Sequence, residues 1–494
     1  MPHGSRSSCS AMQIFNKVLR YLRPAITLLA GAGLVALSAC QRQAVAAPNQ
    51  GLIDSGFTLT QPVLASPQPS ARATLPWLLP SLTATALPAR PTPTLTPSPS
   101  FALPDSEVVY SPSAIDFDVH AYLDQTSGFL RSHREYLKST AWTSAADIVQ
   151  RVALENSINP RLLLTLLEMH CGCVSGDLRQ GVPIDYLLGN TDFRRQGLFR
   201  QLSWAASRLS AAYYGWKAGQ VSEIVLQDGS LIRLDPRWNA GSVAALYFFA
   251  FYDVQTVHRV LHAESGLLAT HRRLFGDFEH RAAAVEPLLP EGLSQPPFIL
   301  PFEVGRMWAL TSGPHVVWET EGAMGALDFA PATYDHGCVP TDAWVTAVAD
   351  GRVVRSEFGA VVLDLDGPNG EPADGFEQSG WAVLYLHIAE KGRVSVGERL
   401  KAGDRIGQPS CEGGRATGTH VHIARKYNGE WIPAAGAIPF ELDGWIAQAG
   451  EKPYEGSLVK DGQQVIAQPV GSYVTKIARP TFTPTLPSPP TPFP

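Results

Sequence analysis

Residues 413–424 read Gly413-Gly414-Arg415-Ala416-Thr417-Gly418-Thr419-His420-Val421-His422-Ile423-Ala424, a glycine-rich turn running into a strand-like segment with two histidines one residue apart. Side chains alternate faces along a strand, so His420 and His422 project to the same side. Two imidazoles on one face of a rigid strand can serve one metal centre, one as a ligand and the other held beside it. The glycines ahead of them suit a close backbone approach by a bound chain. Taken alone, this spacing also describes two ordinary histidines, and its meaning rests on what surrounds it.

After Pro287 the chain consists of short Val/Ile/Leu runs broken by Gly and Pro, which predicts an antiparallel all-β domain. Val345–Ala349, Asp350-Gly351 and Arg352–Val354 have the spacing of a tight hairpin. Val361–Leu363 and Trp381–Leu386 are further strands, separated by a turn-rich insertion at Asp366–Gly380, and Val394–Gly397 with Arg399–Gly407 reads as another hairpin. Three more elements carry metal-ligating chemistry. Gly325-Ala326-Leu327-Asp328-Phe329-Ala330 sets one carboxylate in an apolar strand, Ser312-Gly313-Pro314-His315 places a histidine after a turn, and Leu384-Tyr385-Leu386-His387 ends a strand with another. A zinc hydrolase needs three such ligands from His, Asp or Glu, with a fourth position left open.

Taken together, these elements resemble the lysostaphin-type zinc endopeptidases, the LytM- and LasA-like enzymes that cleave peptidoglycan. The resemblance spans roughly residues 305–440 and takes in His315, the Leu-Asp-Phe aspartate, Ala349–Gly351, Tyr385–His387, Gly403–Gly407 and Thr417–His422, in that order. It implies that His315, Asp328 and His422 hold Zn²⁺, with His387 and His420 beside them as the proton-handling pair. Most of that family places its first ligand four residues before the aspartate, where this chain has Met324, a poor zinc ligand. The LasA-like branch has a longer loop, which His315 fits; His336 is the spare candidate. The glutamate base of an H-E-x-x-H helix is missing, which argues against a thermolysin-like enzyme.

Residues 106–287 show helical periodicity. Trp142–Asp147 opens a helix with a capping Thr or Ser, its stripe being Ile148, Val149, Val152 and Ala153. Pro160 begins the next, in which Leu162, Leu163, Leu166 and Leu167 point inward and Glu168 closes an apolar run. Ile158–Glu168 resembles the lysozyme-like, lytic-transglycosylase superfamily, which implies that Glu168 protonates a glycosidic oxygen. Met169-His170-Cys171 departs from the Ser-Gly expected there, and no second carboxylate is obvious. A sugar-binding or purely structural module, with Glu168 satisfied by hydrogen bonds, is the other reading.

Ahead of this lies an export signal. Lys17, Arg20 and Arg23 precede an apolar run from Ala25 to Ala39, and Met12 is an alternative start. Leu37-Ser38-Ala39-Cys40 resembles a bacterial lipobox, which implies residues 1–40 as signal and a lipid on Cys40, anchoring the chain to the outer face of a bacterial membrane towards the cell wall; an ordinary signal cleaved near Ala47 is the alternative. Residues 41–105, rich in Pro, Thr and Ser, form a spacer able to extend on the order of 200 Å at about 3.1 Å per residue. The β-rich domain is expected over 288–479, and 480–494 is a Pro/Thr tail. Six cysteines are present; with Cys9 and Cys40 set aside, Cys338 and Cys411 can pair, direct bridging of Cys171 and Cys173 is strained, and connectivity stays open.

A net charge of −6, with charged residues at only 17%, gives no basic surface for nucleic acid. The reading is therefore a multidomain α plus β protein, a zinc endopeptidase of peptidoglycan with a helical glycan-engaging domain. A non-catalytic wall-binding regulator of other wall hydrolases is the alternative, and a purely structural wall-binding adhesin a third.

Overall fold

The structure is a computed structural model, and it describes residues 101–332, 336–367, 370–471 and 473–480. The expected signal, lipobox and spacer up to residue 100, and the tail beyond 480, lie outside the described residues. Among those described, no helix is long and apolar enough to cross a membrane.

The helical region contains α1 (Ala145–Asn156), α2 (Pro160–Cys171), α3 (Leu198–Lys217), α4 (Ala240–Phe249) and α5 (Leu267–Phe275), with several shorter helices. Its boundaries follow the capping chemistry in the sequence. The Ser144 side chain accepts from the Asp147 amide at the start of α1, and Asn159 with Pro160 opens α2. Gly172, at φ 64°, ends α2 in the left-handed conformation. Two short hairpins, Arg134–Leu137 with Ala141–Ser144 and Glu223–Val225 with Leu231–Arg233, interrupt the helices and were not anticipated.

The β domain is built on one antiparallel sheet of β1 (Met307–His315), β2 (Ala326–Pro331), β3 (Gly351–Glu357), β4 (Ala360–Leu365), β5 (Trp381–Leu386), β6 (Arg399–Leu400), β7 (Val421–Tyr427) and β8 (Lys476–Ala478). Their spatial order is β6-β3-β4-β5-β7-β2-β1-β8. A four-stranded meander from Glu441 to Ile466 follows β7.

Both expected hairpins are corrected by the pairing. Val345–Thr346 pairs with Arg405–Gly407, and β6 pairs with the start of β3, so each half of one supposed hairpin is joined to a half of the other. Asp350 is the reason: its carboxylate accepts from the Ala402 amide and from Lys401 Nζ, tying the supposed turn to the 399–404 segment. The actual hairpin is β3–β4, closed by Phe358-Gly359, both at positive φ (48° and 76°), a two-residue turn of the kind antiparallel strands favour.

Period-two alternation assigns the two faces of the sheet. Val361, Leu363, Val383, Tyr385, Val421 and Ile423 point into a core formed within the β domain. Ala360, Val362, Ala382, Leu384, Leu386 and Ala424 point the other way, into a core shared with α1, α2 and α3. The helical region is thus a layer on the sheet. Polar ties fasten it there: Ser157 Oγ donates to the Gly429 carbonyl at 2.6 Å, the Trp431 amide donates to Tyr214 Oη at 3.0 Å, and Lys217 pairs with buried Glu430.

Candidate metal centre

Register alone sets the first two site residues face to face, because His422 on β7 is the cross-strand partner of Asp328 on β2. His315 is delivered by a less regular route. Continuing the Leu310–Phe329 pairing without a break would set His315 opposite Met324. Two register shifts on β1 instead place it opposite Ala326, on the same face as Asp328 and nearer to it. Gly313, inside the shifted stretch, packs against the meander so closely that a Cβ there would sit 2.4 Å from the Glu455 carbonyl oxygen. The irregular strand is what brings His315, rather than a residue of regular register, close to Asp328.

The three side chains converge. His315 Nε2 lies 3.0 Å from His422 Nδ1 and 3.3 Å from Asp328 Oδ1, and His422 Nδ1 lies 3.1 Å from the same carboxylate oxygen. Tetrahedral zinc with bonds of about 2.0–2.1 Å separates its ligand atoms by roughly 3.3–3.4 Å, so this triangle fits such an ion closely. Asp328 Oδ1 is buried without a hydrogen bond of good geometry, an orphaned acceptor aimed into the triangle. Among the described residues, His315, Asp328 and His422 form a group able to hold a metal ion, and exposed His336 is not part of it.

Backbone carbonyls orient the rings. His315 Nδ1 donates to the Gly313 carbonyl at 2.9 Å, leaving Nε2 to face the triangle. Burial would raise the Asp328 carboxyl, but the His315 and His422 imidazoles outweigh it and hold the group well below the usual carboxylate range.

His387 and His420 stand next to the triangle, their rings 4.5 Å apart, with His387 6.2 Å from the ring of His422. His387 follows β5 with φ at 66°, and this left-handed residue turns its side chain out of the strand's alternation towards the His315, Asp328 and His422 triangle. Its Nδ1 donates to the Glu412 carbonyl at 3.0 Å, while His420 Nδ1 donates to the Gly418 carbonyl at 2.7 Å. Burial, followed by the charges of His420 and His422, pushes His387 down to about 3, so this imidazole is neutral over the physiological range.

Sequence reasoning missed Tyr454, in the meander, whose ring stacks on His315 with centroids 4.6 Å apart. It also missed the orienting carbonyls, since a carbonyl leaves no trace in residue identity. Cys338 and Cys411 do pair, and so do Cys171 and Cys173, which settles the connectivity that the sequence leaves open.

Glu168 is not brought to this centre. One carboxylate oxygen accepts from the Val174 and Ser175 amides, both at 3.1 Å, and the other from Ser175 Oγ and from Arg273 at 3.0 Å. Burial would raise its carboxyl, but these hydrogen bonds together lower it. A glycosidic acid must keep its proton near neutral pH, whereas the donors around Glu168 favour its charged form, as the hydrogen-bonded reading of this residue expects.

Residues 101–286 match the family profile of the LasA N-terminal domain, and residues 338–433 match peptidase family M23. The second match includes His387, His420 and His422 but begins downstream of His315 and Asp328, for which geometry supplies the support. Protease LasA of Pseudomonas aeruginosa strain UCBPP-PA14 is 26% identical over 361 residues, covering 69% of this chain and 77% of that protein. Its counterpart in strain PAO1 is 26% identical over 366 residues, with the same coverage. Among solved structures, the M23 metalloprotease pseudoalterin, from the deep sea, is 20% identical, covers 37% of this chain and 99% of that chain, and has a TM-score of 0.29. The catalytic domain of lysostaphin from Staphylococcus simulans is 22% identical, covers 24% and 80%, and has a TM-score of 0.18. The chain is a helical region followed by an antiparallel all-β domain of the M23 peptidase kind, and its similarity to LasA supports a lysostaphin-type metallopeptidase.

Proposed function

We propose that this chain is a zinc-dependent endopeptidase that hydrolyses peptide bonds of bacterial peptidoglycan. The observation that carries the reading is the triangle of His315 Nε2, Asp328 Oδ1 and His422 Nδ1, all three edges close to tetrahedral zinc geometry, with a neutral histidine beside it. The similarity to protease LasA over both regions supports the choice of cell wall as substrate. When bound, zinc supplies Lewis acidity, which polarises a carbonyl and lowers the pKa of water.

The chain's own side chains account for the remaining tasks. His315, Asp328 and His422 hold the ion. His387, with its proton fixed on Nδ1 by the Glu412 carbonyl, keeps a lone pair on Nε2 and takes a proton there from the attacking water. Having gained that proton, it becomes the donor for the leaving amine. His420, whose Nδ1 is likewise committed to a carbonyl, keeps an Nε2 lone pair and is the second acceptor for the water's proton.

The helical layer engages glycan without cutting it, a role supported by Tyr136 and Trp142, 62% and 66% exposed and edge to face on one hairpin. Export and anchoring through a lipid on Cys40, at the outer face of a bacterial membrane, complete the proposal and rest on Leu37–Cys40 in the sequence. The full chain with zinc is expected to clear a purified cell-wall suspension and to release new amino termini. Unchanged clearing after chelation, or by His422→Ala protein, would defeat the mechanism. Release of reducing sugar ends by the His422→Ala protein would restore glycan cleavage to the helical layer.

A further inference from the structure

The Cys338–Cys411 bridge lies at the one place where the two proton-handling histidines are oriented. Cys411 is covalently joined to Glu412, whose carbonyl accepts from His387 Nδ1 at 3.0 Å. Ser410, on the other side of Cys411, donates its amide to the His387 carbonyl at 2.7 Å and its hydroxyl to the same oxygen at 3.0 Å. The residues flanking Cys411 therefore grip the backbone and the ring of His387 together. Across the bridge, Gly337 accepts from the Thr419 amide at 3.0 Å, and Val339 accepts from Thr419 Oγ1 at 2.6 Å. Thr419 separates Gly418, whose carbonyl receives the proton of His420 Nδ1, from His420 itself. Both flanks of Cys338 thus hold the segment that orients the second histidine.

We infer that the Cys338–Cys411 disulfide is a positioning device that fixes the tautomers of His387 and His420 by holding the Glu412 and Gly418 carbonyls in place. A neutral imidazole carries its proton on either nitrogen, and the hydrogen bond made by one nitrogen decides which. With the proton held on Nδ1, the Nε2 lone pair is available; with the carbonyl displaced, the proton divides between the two nitrogens and part of the population loses its acceptor. Hydrogen bonds among exposed loop residues open readily, whereas a covalent link does not. The bridge joins loops far apart in sequence, so it removes their separate motion at its source. Its consequence for turnover rests on the peptidase reading, whereas its consequence for the tautomers does not.

The test uses the full chain, metal-free, with long-range ¹⁵N–¹H NMR of the histidine side chains. Unmodified protein is expected to show His387 and His420 with the proton on Nδ1. In Cys338→Ala/Cys411→Ala protein, the nitrogen shifts of both rings should move towards mixed tautomers, while Cys171→Ala/Cys173→Ala protein keeps the original shifts. After zinc is added, the first variant should retain its metal content yet clear a cell-wall suspension on the order of tenfold more slowly at saturating substrate. Tautomers unchanged on loss of the bridge would overturn the inference. Should the double variant not fold, reducing folded metal-free protein with a phosphine reads the same shifts. Shifted tautomers in a protein that clears no wall even when intact would sink the peptidase reading and leave the device standing.

Discussion

Two buried carboxylates, one in each layer, are treated in opposite ways. Glu168, at the end of α2, receives donors on both oxygens from Val174, Ser175 and Arg273. Asp328, in the middle of β2, is equally buried, yet its Oδ1 lacks a well-formed hydrogen bond and faces two imidazole nitrogens at 3.1 and 3.3 Å. The first carboxylate is used up by its surroundings and contributes rigidity. The second is held short of satisfaction, which costs stability unless a further partner enters. Burial of a charge is therefore not what separates a functional acid from a structural one; whether its lone pairs are already spent is.

The largest expected effect comes from breaking the unsatisfied member. Asp328→Asn keeps the shape but replaces the anionic ligand with a neutral amide, and wall clearing should fall by at least about a hundredfold with loss of bound zinc, read by elemental analysis of the folded protein. Zinc at about a hundred times its dissociation constant should stabilise the unmodified chain by about 2.7 kcal/mol in denaturant melts, a gain absent from Asp328→Asn. An equal gain in both proteins would place the metal elsewhere. A second test asks whether the layers are separable at all. Leu384, wholly buried, points from β5 into the core shared with the helices, and Leu384→Ala should cost about 2–5 kcal/mol within a single unfolding transition. Two transitions, only one of them shifted, would show that the helices and the sheet fold independently.

The sheet's chemistry was legible because it depends on short local patterns. Alternation placed His420 and His422 on one face, and an aspartate in an apolar strand stood out as needing a partner. The pairing of strands was not legible. Asp350-Gly351 carries the signature of a tight turn, yet Asp350 spends its oxygens on Lys401 and Ala402, and the true turn at Phe358-Gly359 lacks the usual Asn or Asp. Helix boundaries at Ser144 and Pro160 were readable from capping chemistry, whereas the core shared by helix and sheet was not, because an alanine or leucine does not reveal which surface it meets. The partners of Glu168 were hidden for a related reason: its donors come from residues 174, 175 and 273, beyond the reach of the helical pattern that drew attention to it.

The smallest effect expected belongs to Glu168, and it sharpens the contrast most directly. Glu168→Gln removes the charge from a site built to hold it, leaving the Arg273 and Ser175 donors with a weaker acceptor, at a cost of about 1–3 kcal/mol. Wall clearing and zinc content should be unchanged, the reverse of the outcome for Asp328. The pH dependence gives a second handle. The Glu168 carboxyl is lowered from its ordinary value of 4.5, so its contribution to stability is fully present above that value and is lost as pH falls through the lower, folded-state value. Chemical denaturation of the unmodified chain should therefore show stability declining as the pH is taken below about 4.5, and the Glu168→Gln protein, with no proton to bind there, should decline less steeply over the same interval. Identical acid slopes in the two proteins would mean that the hydrogen bonds at the end of α2 do not hold the charge, and that the line drawn between a spent carboxylate and an open one is in the wrong place.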